Sequence, residues 1–133
     1  MFVSTKDPAH LATLEEAVLQ GLAPDGGLYM PRAIPIISDD ELLAFKRCSY
    51  KEVAHRVLFS LLKEHLKEQE LQEILSAAFS FEPALRYLSD ELATLELFHG
   101  PTLSFKDFGA SFLASLIAFY QRKKGSEPLT ILV

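Results

Sequence analysis

The pattern of hydrophobic and polar positions predicts helices through much of the first half of the chain. From Val53 the apolar residues recur at steps of three and four, which is the spacing of one face of an amphipathic helix. The same spacing returns from Leu71 to Phe79, so we expect two helices that each turn one apolar stripe towards a core. The apolar positions are Val53, Val57, Leu58, Leu61, Leu62, Leu66, Leu71, Ile74, Leu75, Ala78 and Phe79.

Serine or threonine followed three residues later by glutamate marks three helix starts. In such a capping box the hydroxyl accepts the backbone N–H of the glutamate, and the glutamate carboxylate accepts the N–H of the capping residue. We expect the first of these helices to end at Gly21 and the third to be the longest. The three pairs are Thr13/Glu16, Ser38/Glu41 and Ser49/Glu52.

The second half of the chain predicts a strand, a buried helix and a further strand. Residues 93–98 alternate enough for a strand, and residues 105–120 are apolar or small on nearly every face, as in a helix buried on most sides. Basic residues before Gly125 favour a helix end there. The apolar run at residues 129–133 predicts a strand covered on both faces. Such a strand needs neighbours, so we expect a fragment of a longer protein.

Composition and charge exclude several classes of partner. The 133 residues carry a formal net charge of −5 with scattered basic residues, which gives no footprint for nucleic acid or an anionic membrane. No apolar stretch is long enough to span a bilayer. The single cysteine, Cys48, predicts neither a disulfide nor a zinc site, and the N-terminus lacks the features of a secretory signal. We therefore expect a cytoplasmic protein that acts on a small molecule or another protein.

A strand end, a tight turn and a helix start follow one another around Lys106. Ser104 and Asp107 have the spacing of a capping box, which makes Ser104 the N-cap and places Lys106 in the first helical turn. The helix dipole disfavours an ammonium there by up to ~1 kcal/mol. That dipole and the apolar neighbours Phe105 and Phe108 favour the neutral amine, which can attack a carbonyl. Lys106 is therefore a candidate Schiff-base lysine, although most lysines in proteins are simply solvated.

Two segments resemble one enzyme family. The sequence LELFHGPTLSFKDF at residues 95–108 closely resembles the cofactor-lysine motif of threonine synthases, in which the lysine of Phe-Lys-Asp carries pyridoxal phosphate. The sequence GLAPDGGLYMP at residues 21–31 resembles the N-terminal signature of the same family. The resemblance implies an α/β fold with a mainly helical N-terminal domain over residues 1–90. It also implies that residues 91–133 begin a tryptophan-synthase-β-like (fold type II) pyridoxal-phosphate domain, which is incomplete in this chain.

The same resemblance implies a reaction and a role for Lys106. Threonine synthases convert O-phospho-L-homoserine and water into L-threonine and phosphate, with pyridoxal phosphate as the electron sink for carbanions. Lys106 would hold the cofactor and transfer protons at the substrate carbons. The chain has only six glycines and no Gly-rich loop between a strand and a helix. We therefore expect the phosphate cradle beyond Val133 and an inactive fragment; no oligomeric state is predicted.

Other residues near Lys106 have both a functional and a structural interpretation. Thr102 and Ser104 could contact the cofactor, while His99 and Asp107 could contact the substrate. A hydrogen bond to the turn backbone explains His99 as well, and a helix cap explains Ser104 and Asp107. The Pro-Asp-Gly-Gly sequence in the second matched segment is explained by a turn alone. The histidines His55 and His65, on charged helices, are expected to be solvated.

Two alternative functions remain open at this stage. A related pyridoxal-phosphate lyase acting on serine or threonine would share the Ser-Phe-Lys core, but not the His-Gly-Pro-Thr sequence before it or the Asp-Gly-Gly-Leu-Tyr loop. A non-catalytic helical interaction domain is favoured by the amphipathic helices at residues 49–80 and by the missing phosphate loop.

Overall fold

The computed structural model describes residues 1–125 and residue 130, which form a mixed α/β structure. Three short strands pair antiparallel in the order β2–β1–β3, and two further strands form the hairpin β4–β5. Apart from residue 130, the strand predicted at residues 129–133 lies outside the described residues. The elements in chain order are β1 (Phe2–Ser4), β2 (Leu11–Ala12), α1 (Leu14–Gln20), β3 (Tyr29–Pro31), α2 (Asp39–Phe45), α3 (Tyr50–Leu62), α4 (Glu68–Ala78), β4 (Ala84–Tyr87), β5 (Ala93–Glu96) and α5 (Lys106–Lys124).

The three helix starts marked by capping boxes are confirmed. Thr13, Ser38 and Ser49 cap α1, α2 and α3, and in each box both reciprocal hydrogen bonds form. Helix α3, with 13 residues, is the longest of the three, as expected. Gly21 ends α1 with a φ of 74°, and Gly125 ends α5 in the left-handed conformation with a φ of 61°. These ends suit glycine because a side chain disfavours positive φ.

The sheet β2–β1–β3 was not predicted, because strands of two or three residues are too short to show alternation. The predicted turn between α1 and β3 is confirmed and is bonded to β1. The hydroxyl of Ser4, 1% exposed, donates to the Asp25 carboxylate at 2.7 and 2.8 Å. The N–H of Gly27 donates to the same carboxylate at 2.8 Å. These bonds lower the pKa of Asp25, and the bond from Ser4 is the largest cause.

The two apolar stripes meet in one core, as the periodicity predicts. Helices α3 and α4 pack together, and α5 packs on α4 and α1, so the core crosses the domain boundary suggested near residue 90. Among the described residues α5 is covered along one side only, and Leu113 on another side is 46% exposed. The buried core residues of the helices and their connections are Leu14, Leu62, Leu66, Leu71, Ile74, Leu75, Ala78, Phe79, Leu116, Phe119 and Tyr120.

An aromatic cluster joins the start of α5 to the other helices. Phe108 packs edge to face on Phe81, with ring centroids 4.8 Å apart, and on Tyr50 at 5.7 Å. Tyr50 also packs edge to face on Phe79 at 5.2 Å, and Phe79 stacks on Phe112 at 6.4 Å. Such pairs contribute roughly 0.5–1.5 kcal/mol each beyond the area they bury. The cluster therefore fixes the first turns of α5 against α3 and the end of α4.

The other end of α5 carries the predicted basic residues, and they pair with acids of α4 and α1. Each pair is exposed to solvent on at least one side, so each contributes at most about 1 kcal/mol. Their main effect is to set how α5 lies across its neighbours. The pairs are Arg122–Glu73 at 2.7 Å, Lys123–Glu70 at 3.0 Å and Lys124–Glu15.

The expectation that His55 and His65 are solvated is wrong. His65 packs against the ring of Phe2 at 5.7 Å, and its partial burial lowers its pKa. His55 stacks on Phe59 at 5.8 Å, and its Nε2 atom is buried without a hydrogen-bond partner among the described residues. Charged neighbours in the sequence do not reveal which aromatic side chains pack against a histidine.

In the described part of the chain, no helix is both long and apolar enough to cross a membrane.

The centre of the core can be tested at Leu71, whose side chain is 0% exposed. Leu71→Ala should lower the free energy of unfolding by about 2–5 kcal/mol, because it removes buried methyl groups and leaves a cavity. Leu43→Ala in α2 is the matched control, since Leu43 is 57% exposed and its truncation should cost less than about 0.5 kcal/mol. Urea unfolding of both variants measures the difference, and equal losses would place Leu71 outside the core.

Tyr120 provides a test at alkaline pH. Burial, and then the charges of Glu15 and Glu70, raise the pKa of Tyr120 to about 12. This folded-state pKa lies above the ordinary value of about 10, so the protonated form of Tyr120 stabilises the folded state. That contribution is complete below pH ~10 and is lost as the pH rises towards 12. Across this pH range, the free energy of unfolding should fall less for Tyr120→Phe than for the wild type. Tyr87→Phe, at a 74% exposed position, should lose stability as the wild type does.

Candidate active site

Helix α5 begins at Lys106, which confirms that this lysine lies in the first turn. The predicted capping box of Ser104 and Asp107 is wrong. Phe105, with a helical φ of −58°, occupies the cap position and makes no side-chain cap bond. The Ser104 hydroxyl instead accepts the N–H of Lys106 at 3.3 Å. The reciprocal bond does not form because the Asp107 carboxylate is directed to Thr102.

Asp107 and Thr102 are joined by two hydrogen bonds. The backbone N–H of Thr102 donates to Oδ2 of Asp107 at 2.9 Å, and the Thr102 hydroxyl donates to Oδ1. Asp107 is only 5% exposed. The hydroxyl bond is the largest cause of a lowered pKa for this carboxyl, and the two backbone amides that approach it, from Thr102 and Ser104, add to it. Asp107 is therefore a buried and ionised carboxylate with both oxygens in hydrogen bonds.

Gly100 is buried directly against Asp107. A Cβ atom at this position would lie 2.4 Å from Oδ2 and 2.6 Å from Cβ of Asp107, which is far inside contact distance. The next turn brings the N–H of Leu103 to the carbonyl of Gly100 at 3.1 Å. Leu103 has a φ of +59°, a left-handed conformation that costs a non-glycine residue roughly 1–2 kcal/mol. The loop before α5 is thus compact, internally bonded and strained at one residue.

The side chain of Lys106 is exposed, and within residues 1–125 no carboxylate forms an ion pair with it. Of its two aromatic neighbours, Phe108 is directed into the aromatic cluster and Phe105 is 64% exposed. Among the described residues, the apolar cover that the sequence suggested around this lysine is therefore missing. What the structure presents is an accessible primary amine at the positive end of a helix dipole.

His99 lies before this loop and bonds a carboxylate rather than the turn backbone. Its Nε2 atom is 2.8 Å from Oε2 of Glu96, and its ring packs on Phe98 at 4.9 Å. The same Glu96 oxygen is 3.6 Å from Nε of Arg86 on the paired strand β4. The sequence did not suggest Arg86 or Glu96, because β4 was not predicted. The register of β4 and β5, with Ala84 opposite Glu96, brings the two charges together.

Several apolar side chains of the loop and of the hairpin before it are exposed in the described structure. Exposed apolar surface, where it is contiguous, commonly marks a surface that is covered by further protein or ligand. The exposed fractions are 53% for Leu85, 74% for Tyr87, 59% for Leu95, 51% for Phe98, 74% for Leu103 and 64% for Phe105.

The family comparison gives one match, and it covers the first part of the chain. Residues 1–79 match the family model described as the threonine synthase N terminus. This match includes the sheet β2–β1–β3 and helices α1 to α4, and it ends before the loop that contains Lys106. The curated relatives extend the similarity further. Threonine synthase of Schizosaccharomyces pombe is 36% identical over 96% of this chain, and that of Escherichia coli is 32% identical over 96%.

Solved structures agree with these sequence matches. A threonine synthase from Escherichia coli has a TM-score of 0.86 and 31% identity over 98% of this chain. A pyridoxal-phosphate-bound threonine synthase from Brucella melitensis has a TM-score of 0.84 and 32% identity over 93%. The chain spans only 26–29% of the two curated relatives and 28–30% of these two structures. The similarity therefore concerns about the first quarter to third of such proteins.

Substitutions at Gly100 and Gly109 should change the free energy of unfolding in opposite directions, because only Gly100 packs against Asp107. Gly100→Ala should lower the free energy of unfolding by about 1–3 kcal/mol, because Asp107 is too short to move away from the new methyl group. Gly109→Ala in α5 meets nothing within 4 Å and should raise it by about 0.5–1 kcal/mol, since alanine is the better helix residue. Thermal unfolding of the two variants distinguishes the signs. A stabilising Gly100→Ala would show that the close contact is absent.

Proposed function

The chain belongs to the threonine synthase family, and we propose that it forms part of an enzyme that converts O-phospho-L-homoserine and water into L-threonine and phosphate. The observation that carries this proposal is the 0.86 TM-score at 31% identity to a solved threonine synthase over 98% of the chain. The cofactor of the proposed enzyme is pyridoxal phosphate, the group bound in the threonine synthase from Brucella melitensis. When bound, this cofactor withdraws electrons from carbanions at the substrate carbons.

The residues at the start of α5 fit a cofactor that carries an aldehyde. Such a cofactor needs an accessible primary amine, and Lys106 offers one without a competing ion pair among the described residues. The first turn of a helix also holds backbone N–H groups that favour anionic groups nearby. We propose that Nζ of Lys106 holds the cofactor and transfers protons at the substrate carbons. Lys106 would then be the catalytic residue of this part of the enzyme.

The other candidate residues have more limited support. The Ser104 hydroxyl lies beside Lys106 and accepts its backbone N–H, so a cofactor contact from Ser104 remains a prediction. His99 is held by Glu96, so the substrate contact predicted for it would involve the face of the ring or the Nδ1 atom. Thr102 and Asp107 bond each other, and these bonds use both carboxylate oxygens of Asp107. A direct contact of Asp107 with the substrate is therefore the least supported of these predictions.

The finer fold assignment is part of the same proposal. We propose that the hairpin strand β5 and helix α5 begin a tryptophan-synthase-β-like (fold type II) domain near residue 91, after the mainly helical region of residues 1–90. In this proposal the cofactor phosphate is bound by segments outside the 133 residues, because the sequence has no Gly-rich loop between a strand and a helix. The 133 residues alone would then form no threonine.

The proposed role of Lys106 can be tested by chemical trapping in the full-length protein. Incubation with pyridoxal phosphate, reduction with sodium borohydride and peptide mass spectrometry should place the reduced cofactor on Lys106. Lys106→Arg should lose both this label and threonine formation, because arginine keeps the charge but has no primary amine. Lys51→Arg, a change of an exposed lysine in α3, is the matched control and should keep both. Labelling of another lysine in place of Lys106, or no release of phosphate from O-phospho-L-homoserine, would contradict the proposal.

A further inference from the structure

Asp107 is a buried carboxylate placed one residue after an exposed lysine. Both residues lie in the first turn of α5, yet Asp107 is 5% exposed while the side chain of Lys106 lies in solvent. Burial of a charge is unfavourable unless hydrogen bonds replace its hydration. Here Thr102 supplies those bonds from its backbone N–H and its hydroxyl. The protein therefore maintains a desolvated charge at the residue next to Lys106, and among the described residues Thr102 is the only side chain that bonds it.

We propose that Thr102 and Asp107 form a latch that positions Lys106, and that Asp107 is a positioning residue rather than a ligand of the substrate. This inference rests on the proposed function, in which Lys106 holds the cofactor. We call the pair the Thr102–Asp107 latch. It connects the loop before α5 to the second residue of the helix, so it spans Lys106 from one side to the other.

The backbone around Lys106 is fixed by bonds that close on this latch. The N–H of Asp107 donates to the carbonyl of Ser104 at 3.0 Å, and the N–H of Lys106 donates to the Ser104 hydroxyl at 3.3 Å. With the two bonds from Thr102, they hold the backbone on both sides of the lysine. The direction in which its side chain leaves the helix is thereby set, while its four methylene groups remain free to move. Precise placement of a reacting group is a large part of catalytic efficiency.

The strained residue Leu103 supports a function for this geometry. Leu103 is left-handed with a φ of +59°, and its side chain is 74% exposed, so among the described residues burial does not offset the strain. Strained residues persist where neighbouring contacts over-determine them, and they cluster at functional sites. Leu103 lies between Thr102 and Asp107, the two residues of the latch, and its own N–H donates to the Gly100 carbonyl.

Gly100 packs against the carboxylate of the latch. Because a Cβ atom at this position would lie 2.4 Å from Oδ2 of Asp107, the loop backbone packs directly on the carboxylate. The carboxylate is therefore enclosed between Gly100 and Thr102, and each of its oxygens already accepts a bond from Thr102. This enclosure is the reason for assigning Asp107 a positioning role.

The test uses the full-length protein and the occupancy of Lys106 as its readout. Samples are incubated with a limiting amount of pyridoxal phosphate, reduced with borohydride and digested, and the label on Lys106 is compared with that on the exposed Lys51. Thr102→Val removes the hydroxyl but keeps the shape of the side chain, and it should lower the label on Lys106 by roughly tenfold or more relative to Lys51. Thr102→Ser keeps the hydroxyl and should retain wild-type labelling. Asp107→Asn replaces an acceptor oxygen by a donor, and it should lower the label on Lys106 as Thr102→Val does.

A matched control separates positioning from general loss of stability. Leu71→Ala weakens the core away from the latch, and below its melting temperature it should keep wild-type labelling of Lys106. Thr102 is exposed, so Thr102→Val can be studied even if the change at the buried Asp107 prevents folding. Wild-type labelling of Lys106 in Thr102→Val would overturn the latch. A loss of label in Leu71→Ala equal to that in Thr102→Val would overturn it as well, and either result would leave the proposed function intact. Absence of label on Lys106 in the wild type would overturn the proposed function, and the latch with it.

Discussion

The packing of α5 against α4 is the interaction on which the rest of the structure depends. Most of the stability of a helix in a protein comes from the packing of its apolar face, so the position of α5 is set by that face rather than by its own hydrogen bonds. Phe119 and Leu116 anchor that face in the core, and Phe108 anchors its first turns in the aromatic cluster. Because Lys106 is the first residue of α5, contacts made further along the helix support the backbone from which its side chain extends.

The first turn of α5 holds two opposite charges in opposite environments. A carboxylate is favoured at a helix N-terminus and an ammonium is disfavoured there. Asp107 is buried and bonded to Thr102, whereas Lys106 is exposed. The favourable charge thus serves the structure, and the unfavourable one is left accessible. This division is typical of sites where local stability is given up for chemistry.

The family model and the candidate site concern different parts of the chain. The family model matches residues 1–79, which hold the small sheet and helices α1 to α4, while Lys106 lies after that match. The shared core connects the two parts, since α5 packs on α4 and α1. In the proposed enzyme, the family's N-terminal region would therefore act as the support for the first turn of α5. Exposed apolar side chains of the loop and of the hairpin before it, such as Leu103 and Tyr87, are not covered by this support.

The sequence by itself determined the features whose physical cause is local. Capping boxes need only residues three apart, so the starts of α1, α2 and α3 followed from the spacing of Ser or Thr and Glu. The buried stripes of α3 and α4, the left-handed glycine at the end of α5 and the place of Lys106 in its first turn were also predictable. The resemblance of the segment around Lys106 to a family motif supplied the proposed chemistry, which local spacing could not.

Only the tertiary structure decided the features that depend on residues far apart in the chain or on competing partners. The sheet β2–β1–β3 and strand β4 have too few residues for a periodic signal, and they exist through their pairing. The spacing of Ser104 and Asp107 suggested a cap, but Thr102 offered Asp107 two donors at once and bound it instead. The contact of Gly100 with that carboxylate and the left-handed Leu103 follow from the same competition. A spacing rule shows which bonds are possible, and the folded chain selects among them because a side chain can be directed to only one set of partners at a time.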